Sequence, residues 1–467
     1  MDTCKDKPAE YIGDLVQRAR QAQNSISTAT QDEVDAVCAH LAWSGIEPSF
    51  AMELAQLAYE ESGLGNAESK YAKIQTKVKG TYRDTLGGSS VGIIEVNHEK
   101  GLIKIAKPIG VIGALIPCTN PEATPFCKAI SAIKTRNAII MSPHPRTRKT
   151  GILAVERMRK VLASLGIPED LIIIADHISL EITKELMKQA DMVLATGGSG
   201  MVKAAYSSGT PALGVGAGNA VVIVDDTVDL STVANMIKRS KTFDNATSCS
   251  AENACLAQRS IYPHLLRALE EEGGYLVTEQ ERVLLENCMW KNGVLNRDIV
   301  GKPAVQIGKL AGIQLPEDCQ FIMVEGKHIG ADDPFSGEKL SVVMTLYTWD
   351  DFDEAVEMVN AITAYSGAGH SCGLHSLKKE RAVELGMKVN VSRIMINQPQ
   401  CLANSGAWTN GMPMTMTLGC GTWGGNSSCE NITWKNLLNT TWISFPIAGE
   451  EPQNEELFSP EILACTY

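Results

Sequence analysis

No stretch of this 467-residue chain approaches the roughly 18 uncharged apolar residues that a membrane span requires. Its start, MDTCKDKPAEYIGDLV, has no basic segment followed by an apolar run, so no secretory leader is expected. Positive charge is not in excess either. A net charge of −12 argues against nucleic acid or an anionic membrane as partner, since both need a basic face. Thirteen cysteines contain no C-x-x-C, and eight histidines form no H-E-x-x-H or paired spacing, so no metal site is expected. The cysteine number is odd and the residues are scattered along a long chain, unlike a disulfide scaffold. Free thiols in a reducing, cytoplasmic location are therefore expected. A phosphate-binding G-x-x-x-x-G-K-[ST] loop is missing, as are repeats and low-complexity tracts.

What is present reads as an α/β protein of two or three domains, with 44% hydrophobic and 21% charged residues. The first 85 or so residues carry helical spacing, as in Ile12, Leu15, Val16 and Ala19. SSVGIIEVNHEKGLIKIAKPIG then reads as a β-hairpin turning at Asn97–Gly101. From Gly110 the apolar runs VIGALIP, NAIIMSP, DLIIIAD, DMVLAT and NAVVIVDD alternate with helical segments, the pattern of a parallel sheet covered on both faces. Thr124 and Pro125 fit the N-cap and first position of one such helix. A second α/β segment runs from about Asp226 to Asn410. The closing run NTTWISFPI would pair with the early hairpin or with another subunit, and the acidic tail after Gly449 packs loosely. The division is 1–225, with the hairpin 91–108 set apart, then 226–415, then 416–467.

Several short motifs carry both a chemical and a plain reading. Gly197, Gly198 and Gly200 follow a strand and open a helix, which suits a phosphate as well as a tight turn. Gly214, Gly216 and Gly218 precede a strand, either as a sharp entry loop or as backbone that passes close to a reacting centre. Asn120 stands at a predicted parallel-strand end, where ligands gather; its amide would serve as an oxyanion donor or as a turn residue. His144 in SPHPR and His370 in GAGHS lie in loops that suit ligand contact. KTFDNATSCSAENACLA holds Cys249 and Cys255 but no histidine to act as a base.

Together, GVIGALIPCTNPEATP, KTRNAIIMSPHPR, LATGGSGMVKAAYSSGTPALGVGAGN, KTFDNATSCSAE, GEKLS, GAGHS and LGCGTWGGN resemble the CoA-acylating branch of the aldehyde dehydrogenase superfamily. The resemblance spans about Tyr11 to Pro446. It implies a Rossmann-type parallel-sheet cofactor domain, an α/β catalytic domain and a small β oligomerisation arm. It further implies that Cys249 is the nucleophile, that Asn120 joins the Cys249 backbone N–H in holding the oxyanion, and that Cys255 is core. For the cofactor, NAD or NADP, it implies Thr119, Ser142, His144, Pro145, Arg146, Thr196, Gly197, Gly198, Gly200, Val215, Gly216 and Glu338.

Hydrolytic relatives carry a glutamate in an E-L-G-G block, where this chain has Val215-Gly216-Ala217-Gly218. Water, with a pKa of about 15.7, needs a base to attack a thioester. A thiol with a pKa of about 8.5 is already partly thiolate, so coenzyme A needs less help. The resemblance is to acylating sulfoacetaldehyde dehydrogenases first and CoA-dependent succinate-semialdehyde dehydrogenases next, with acetaldehyde further off. Thr247, Ser248 and Arg393 are the residues expected to meet an anionic head group, and a homodimer or homotetramer is expected.

Overall fold

A computed structural model describes residues 7–466; the first six residues, part of the start judged to lack a leader, lie outside it. Five α-helical segments between Pro8 and Arg83 precede any strand. The last of these run together as Ala67–Lys73, a π-helical turn Ile74–Val78 and Lys79–Arg83. A π-turn widens the helix by one residue per turn and is frequent at functional sites.

The first sheet has five parallel strands in the order Ile172–Ile174, Ala138–Pro143, Val111–Ile116, Met192–Ala195, Ala212–Gly214. Val111–Ile116 and Ala138–Pro143 are buried throughout, which explains their uninterrupted apolar character. The chain moves outward from Val111–Ile116, then returns to its other side. The crevice between the ends of Val111–Ile116 and Met192–Ala195 is therefore a topological switch point.

A second, seven-stranded parallel sheet runs Gly274–Leu276, Phe321–Glu325, Val343–Trp349, Glu252–Gln258, Ala220–Val224, Cys372–His375, Ile394–Ile396. Ala220–Val224, placed with the first unit by the 1–225 division, is a strand of this second sheet. The expected hairpin forms as Gly92–Asn97 with Leu102–Pro108, and Leu438–Ser444 adds to it antiparallel. This arm exposes Ile93, Val96, Trp442 and Phe445. Its pairing settles the open choice for the closing run in favour of the hairpin.

Two local expectations shift. The helix expected to start at Thr124 is capped at Ala123 with no side-chain bond, and the Thr124 hydroxyl is buried without a partner. Ala212–Gly214 is a short strand rather than entry loop.

The two sheets meet around one buried carboxylate. Asp244 is 1% exposed and accepts from Lys70 Nζ (3.1 Å), Lys73 Nζ (2.7 Å), Asn66 N (2.9 Å) and Thr247 Oγ1 (2.8 Å). Burial works against its ionisation, yet the two lysines hold its pKa below the ordinary carboxylate range. Asp244→Ala takes the carboxylate from buried Lys70 and leaves Lys73 with Glu122 alone, and breaking a buried pair costs about 3–5 kcal/mol. Chemical denaturation is expected to show a loss of that order; a loss below about 1 kcal/mol, the range of surface pairs, would contradict this.

Candidate active site

A cavity of about 590 Å³ opens at the switch point. It is bounded by Thr119 and Asn120 after the central strand, Thr196–Gly198 after its neighbour, and Val215–Ala217 where the chain crosses to the second sheet. Thr247, Ser248, Cys249 and Glu338 close it from the second sheet, with Lys73 and Lys77 from the widened helix. A second cavity of about 340 Å³ adjoins it and is lined by Ser142, Pro145 and Thr183. Both share Pro117, His144, Thr196, Gly197 and Gly198. One continuous path thus leads from Ser142 to Cys249. Gly200 lies just inside the helix Ser199–Tyr206, exposed and outside both linings.

Cys249 is positioned by an unusual turn. Asp244, Asn245 and Ala246 all adopt positive φ (49°, 51° and 57°). Side chains rarely accept this conformation, and it costs an alanine about 1–2 kcal/mol. The bonds to Asp244 hold the turn on one side. Asn245 Nδ2 holds it on the other by donating to the carbonyls of Gly65 and Gly301, each at 3.2 Å. Opposite, Gly218 runs so close to Cys249 that a Cβ there would overlap the Cys249 backbone. This close approach is the reason for glycine in that block.

Cys249 Sγ lies 3.0 Å from His370 Nε2, and His370 Nδ1 lies 2.8 Å from Ser371 Oγ. With Nδ1–H donating to Ser371, Nε2 is free to accept the thiol hydrogen. His370 is fully buried, and burial followed by the nearby Arg393 charge pushes its pKa down to about 3. Burial, then the Glu338 carboxylate, push the Cys249 thiol up. The resting pair is therefore neutral thiol and neutral imidazole, not an ion pair.

Glu338 Oε1 accepts from Gly218 N at 3.2 Å. Burial raises its pKa to about 8, so at neutral pH it is mostly a protonated acid. Asn120 presents its amide to the same cavity, with Nδ2 donating to Thr119 Oγ1 at 3.2 Å. The arrangement combines a thiol with a proton acceptor, an amide donor, and a glycine-lined cleft at strand ends. That set suits covalent carbonyl chemistry beside a bound nucleotide.

The model of the aldehyde dehydrogenase family matches residues 1–281. The chain belongs to this family. An acylating sulfoacetaldehyde dehydrogenase of Cupriavidus necator is 42% identical, over 96% of this chain and 92% of that one. An acetylating succinate-semialdehyde dehydrogenase of Clostridium kluyveri is 39% identical, over 96% and 98%. Among solved structures, a Rhodopseudomonas palustris propionaldehyde dehydrogenase with bound CoA and an acylated cysteine superposes with a TM-score of 0.84. It is 26% identical, over 93% of this chain and 97% of that one.

Not every residue expected from the family resemblance reaches the cavity of this aldehyde dehydrogenase. Arg393 does not. Its guanidinium is buried and donates to the carbonyls of His370 (3.0 Å), Gly419 (2.6 Å) and Cys429 (3.1 Å), so it braces loops instead of meeting a head group. Thr247 borders the cavity, but its hydroxyl is committed to Asp244. In residues 397–426, a segment rich in Asn, Gln, Ser and Thr, several amides serve backbone: Asn397 bonds the N–H and C=O of Ser376, and Asn410 accepts from the N–H groups of Ala407 and Met412. Cys255 is fully buried in its strand, as expected of a core residue.

Sequence reasoning singled out His370 only as a loop histidine suited to ligand contact; the structure sets it against Cys249, 121 residues away, where it can act as the base that stretch lacks. Lys77 was missed altogether. With Lys70 and Lys73 it recurs at spacings of three and four, a buried polar stripe where a helix ordinarily turns an apolar face.

A neutral thiol–imidazole pair predicts how Cys249 reacts with iodoacetamide. The alkylation rate of the free enzyme is expected to climb with pH to at least 9. A plateau already reached at pH 6–7 would instead reveal a thiolate–imidazolium pair.

Proposed function

We propose that this enzyme oxidises a small anionic aldehyde with a nicotinamide cofactor and coenzyme A, releasing the acyl-CoA through a thioester on Cys249. The observation that carries this reading is the Cys249–His370 contact, with His370 buried behind a Cys249 that lines a cavity whose only lining carboxylate, among the described residues, is Glu338, mostly protonated at neutral pH. Without an ionised carboxylate, water has no strong base, whereas a second thiol needs little help.

The chain's own residues perform the steps as follows. Cys249 sulfur adds to the aldehyde carbon while its proton moves to His370 Nε2. The Asn120 amide and the Cys249 backbone N–H bond the resulting oxyanion. A nicotinamide held along the glycine-lined cleft would supply the hydride acceptor that oxidation of an aldehyde to a thioester requires. The cleft suits it: Gly197 and Gly198 leave room for a pyrophosphate, and Glu338, as a protonated acid, can share a hydrogen with a ribose hydroxyl. Cys249 then carries the acyl group; once His370 has released its first proton to solvent, it accepts the proton of the incoming CoA thiol and returns it to Cys249 as the cysteine leaves. Arg146 and Arg297 stand on the cavity lining as cations for nucleotide phosphates, without deciding between NAD and NADP. The three-stranded arm, with Trp442 and Phe445 exposed, is the proposed homodimer or homotetramer contact. None of the described helices is long and apolar enough to cross a membrane.

Lys77 takes the place expected of Arg393. Its Nζ donates to Ser405 O (3.2 Å) and Gly406 O (2.6 Å), has no carboxylate partner, and lines the cavity beside Ser248 and Thr415. Burial lowers its pKa to about 8. A sulfonate or carboxylate head group would supply the missing counter-charge. The preference for sulfoacetaldehyde rests on the sulfoacetaldehyde dehydrogenase relative being somewhat more similar than the succinate-semialdehyde one.

A panel of sulfoacetaldehyde, succinate semialdehyde and acetaldehyde, assayed with CoA or phosphate as sole acceptor, tests the whole reading. Sulfoacetyl-CoA is the expected product, and formation of an acyl phosphate would sink it. Losing a charged hydrogen bond of about 1.5–3 kcal/mol, Lys77→Met should raise KM for the anionic aldehyde about 10–100-fold and leave that for acetaldehyde nearly unchanged. In the unsubstituted enzyme Lys77 is a cation below its pKa, so KM for the anionic aldehyde should rise as pH passes about 8. A pH-independent KM would remove Lys77 from the site.

A further inference from the structure

The oxygen of the Asn120 amide is already taken. Lys73 Nζ donates to Asn120 Oδ1 at 2.5 Å, while the same ammonium lies 2.7 Å from Asp244 Oδ2 and 3.4 Å from Glu122 Oε1. Glu122 is fully buried, and neither of its oxygens has a hydrogen-bond partner. Burial works against the charge on Lys73, but Asp244 and Glu122 outweigh it and hold its pKa above the ordinary value. A charged lysine is thus built into the floor of the cavity, spent on an amide oxygen rather than aimed at a ligand.

An amide has two ends of nearly equal shape and opposite polarity. Half a turn about its terminal torsion exchanges an acceptor for two donors, and the torsion itself does little to prevent that. Only the donor end stabilises a developing oxyanion. The turned arrangement would press NH₂ against an ammonium and show oxygen lone pairs to the new negative charge. Lys73 makes it costly on both counts.

We propose that Lys73 is a positioning residue that locks the Asn120 amide with Nδ2 toward the reacting carbonyl oxygen, and that Asp244 and Glu122 fix Lys73 in that place. This rests on the oxyanion role given to Asn120 above. The bond from Nδ2 to Thr119 Oγ1 in the resting structure keeps the donor end away from Lys73. Lys70 shares Asp244 but reaches the Thr119 carbonyl, at 3.5 Å, and not the amide, so it does not duplicate this function.

A double-mutant cycle tests the lock, with kcat for aldehyde oxidation in the presence of CoA as readout. In the unsubstituted enzyme, Asn120→Ala is expected to lower kcat about 10²–10³-fold, as loss of one oxyanion donor does. In a Lys73→Met background the same substitution should cost less than about threefold, because the amide there is no longer held. Equal factors in both backgrounds, or a Lys73→Met enzyme with undiminished kcat, would overturn the lock. An Asn120→Ala enzyme with undiminished kcat would instead sink the oxyanion role itself, so the two failures are distinct. Alkylation of Cys249 by iodoacetamide, which needs no oxyanion donor, should proceed at the unsubstituted rate in Lys73→Met; a changed rate would mean a displaced cysteine turn and count against the lock. If stranding Glu122 prevents folding, Lys73→Met/Glu122→Gln removes the lysine without leaving its carboxylate unpaired and carries the same cycle.

Discussion

Asp244 is the point on which the site hangs. It sits at the tip of a loop from the second sheet, yet its carboxylate is held by two lysines and a backbone N–H from the helical region near residue 70. Through Thr247 it fixes the left-handed turn that leads to Cys249. Through Lys73 it reaches the Asn120 amide on the first sheet. One buried anion therefore sets the spacing between a thiol and an amide that belong to different sheets. The strain of three consecutive positive-φ residues persists because these bonds over-determine it.

The electrostatics of the cavity favour patience over readiness. Burial keeps the cysteine a thiol, the histidine an unprotonated imidazole and the glutamate an acid. Cys249 and His370 thus form no ion pair at rest, and in the proposed reaction the thiol proton moves only when an aldehyde provides a place for the charge. A dry cavity also strengthens each dipole aimed at that charge. Susceptibility to oxidation follows thiolate character, so a cysteine kept as a thiol is the less susceptible form.

The same desolvation decides how cations are used. Arg393, the cation expected from the sequence to meet the head group, is consumed by three carbonyls that brace the loops around His370. Lys73 is consumed by two carboxylates and an amide oxygen. Lys77 alone of the buried cations on the cavity lining bonds only backbone carbonyls, besides the Met414 sulfur, which leaves its charge uncompensated. In the proposed reaction, that uncompensated charge is the feature that would select an anionic aldehyde.

By itself the sequence determined the parallel sheets, because buried strands must be continuously apolar and helices must carry their own spacing. It also marked the strand ends bearing Asn120 and the Gly197–Gly198 turn, since topology fixes where such ends gather. The cysteine stretch, and the lack of a carboxylate in the block Val215–Gly218, were legible through the family resemblance. Only the tertiary structure decided which polar residues are free. His370 meets Cys249 across 121 residues, and Arg393 is spent while Lys77 is not. Such pairings depend on how loops from separate sheets close over one another, and local spacing carries no record of that closure.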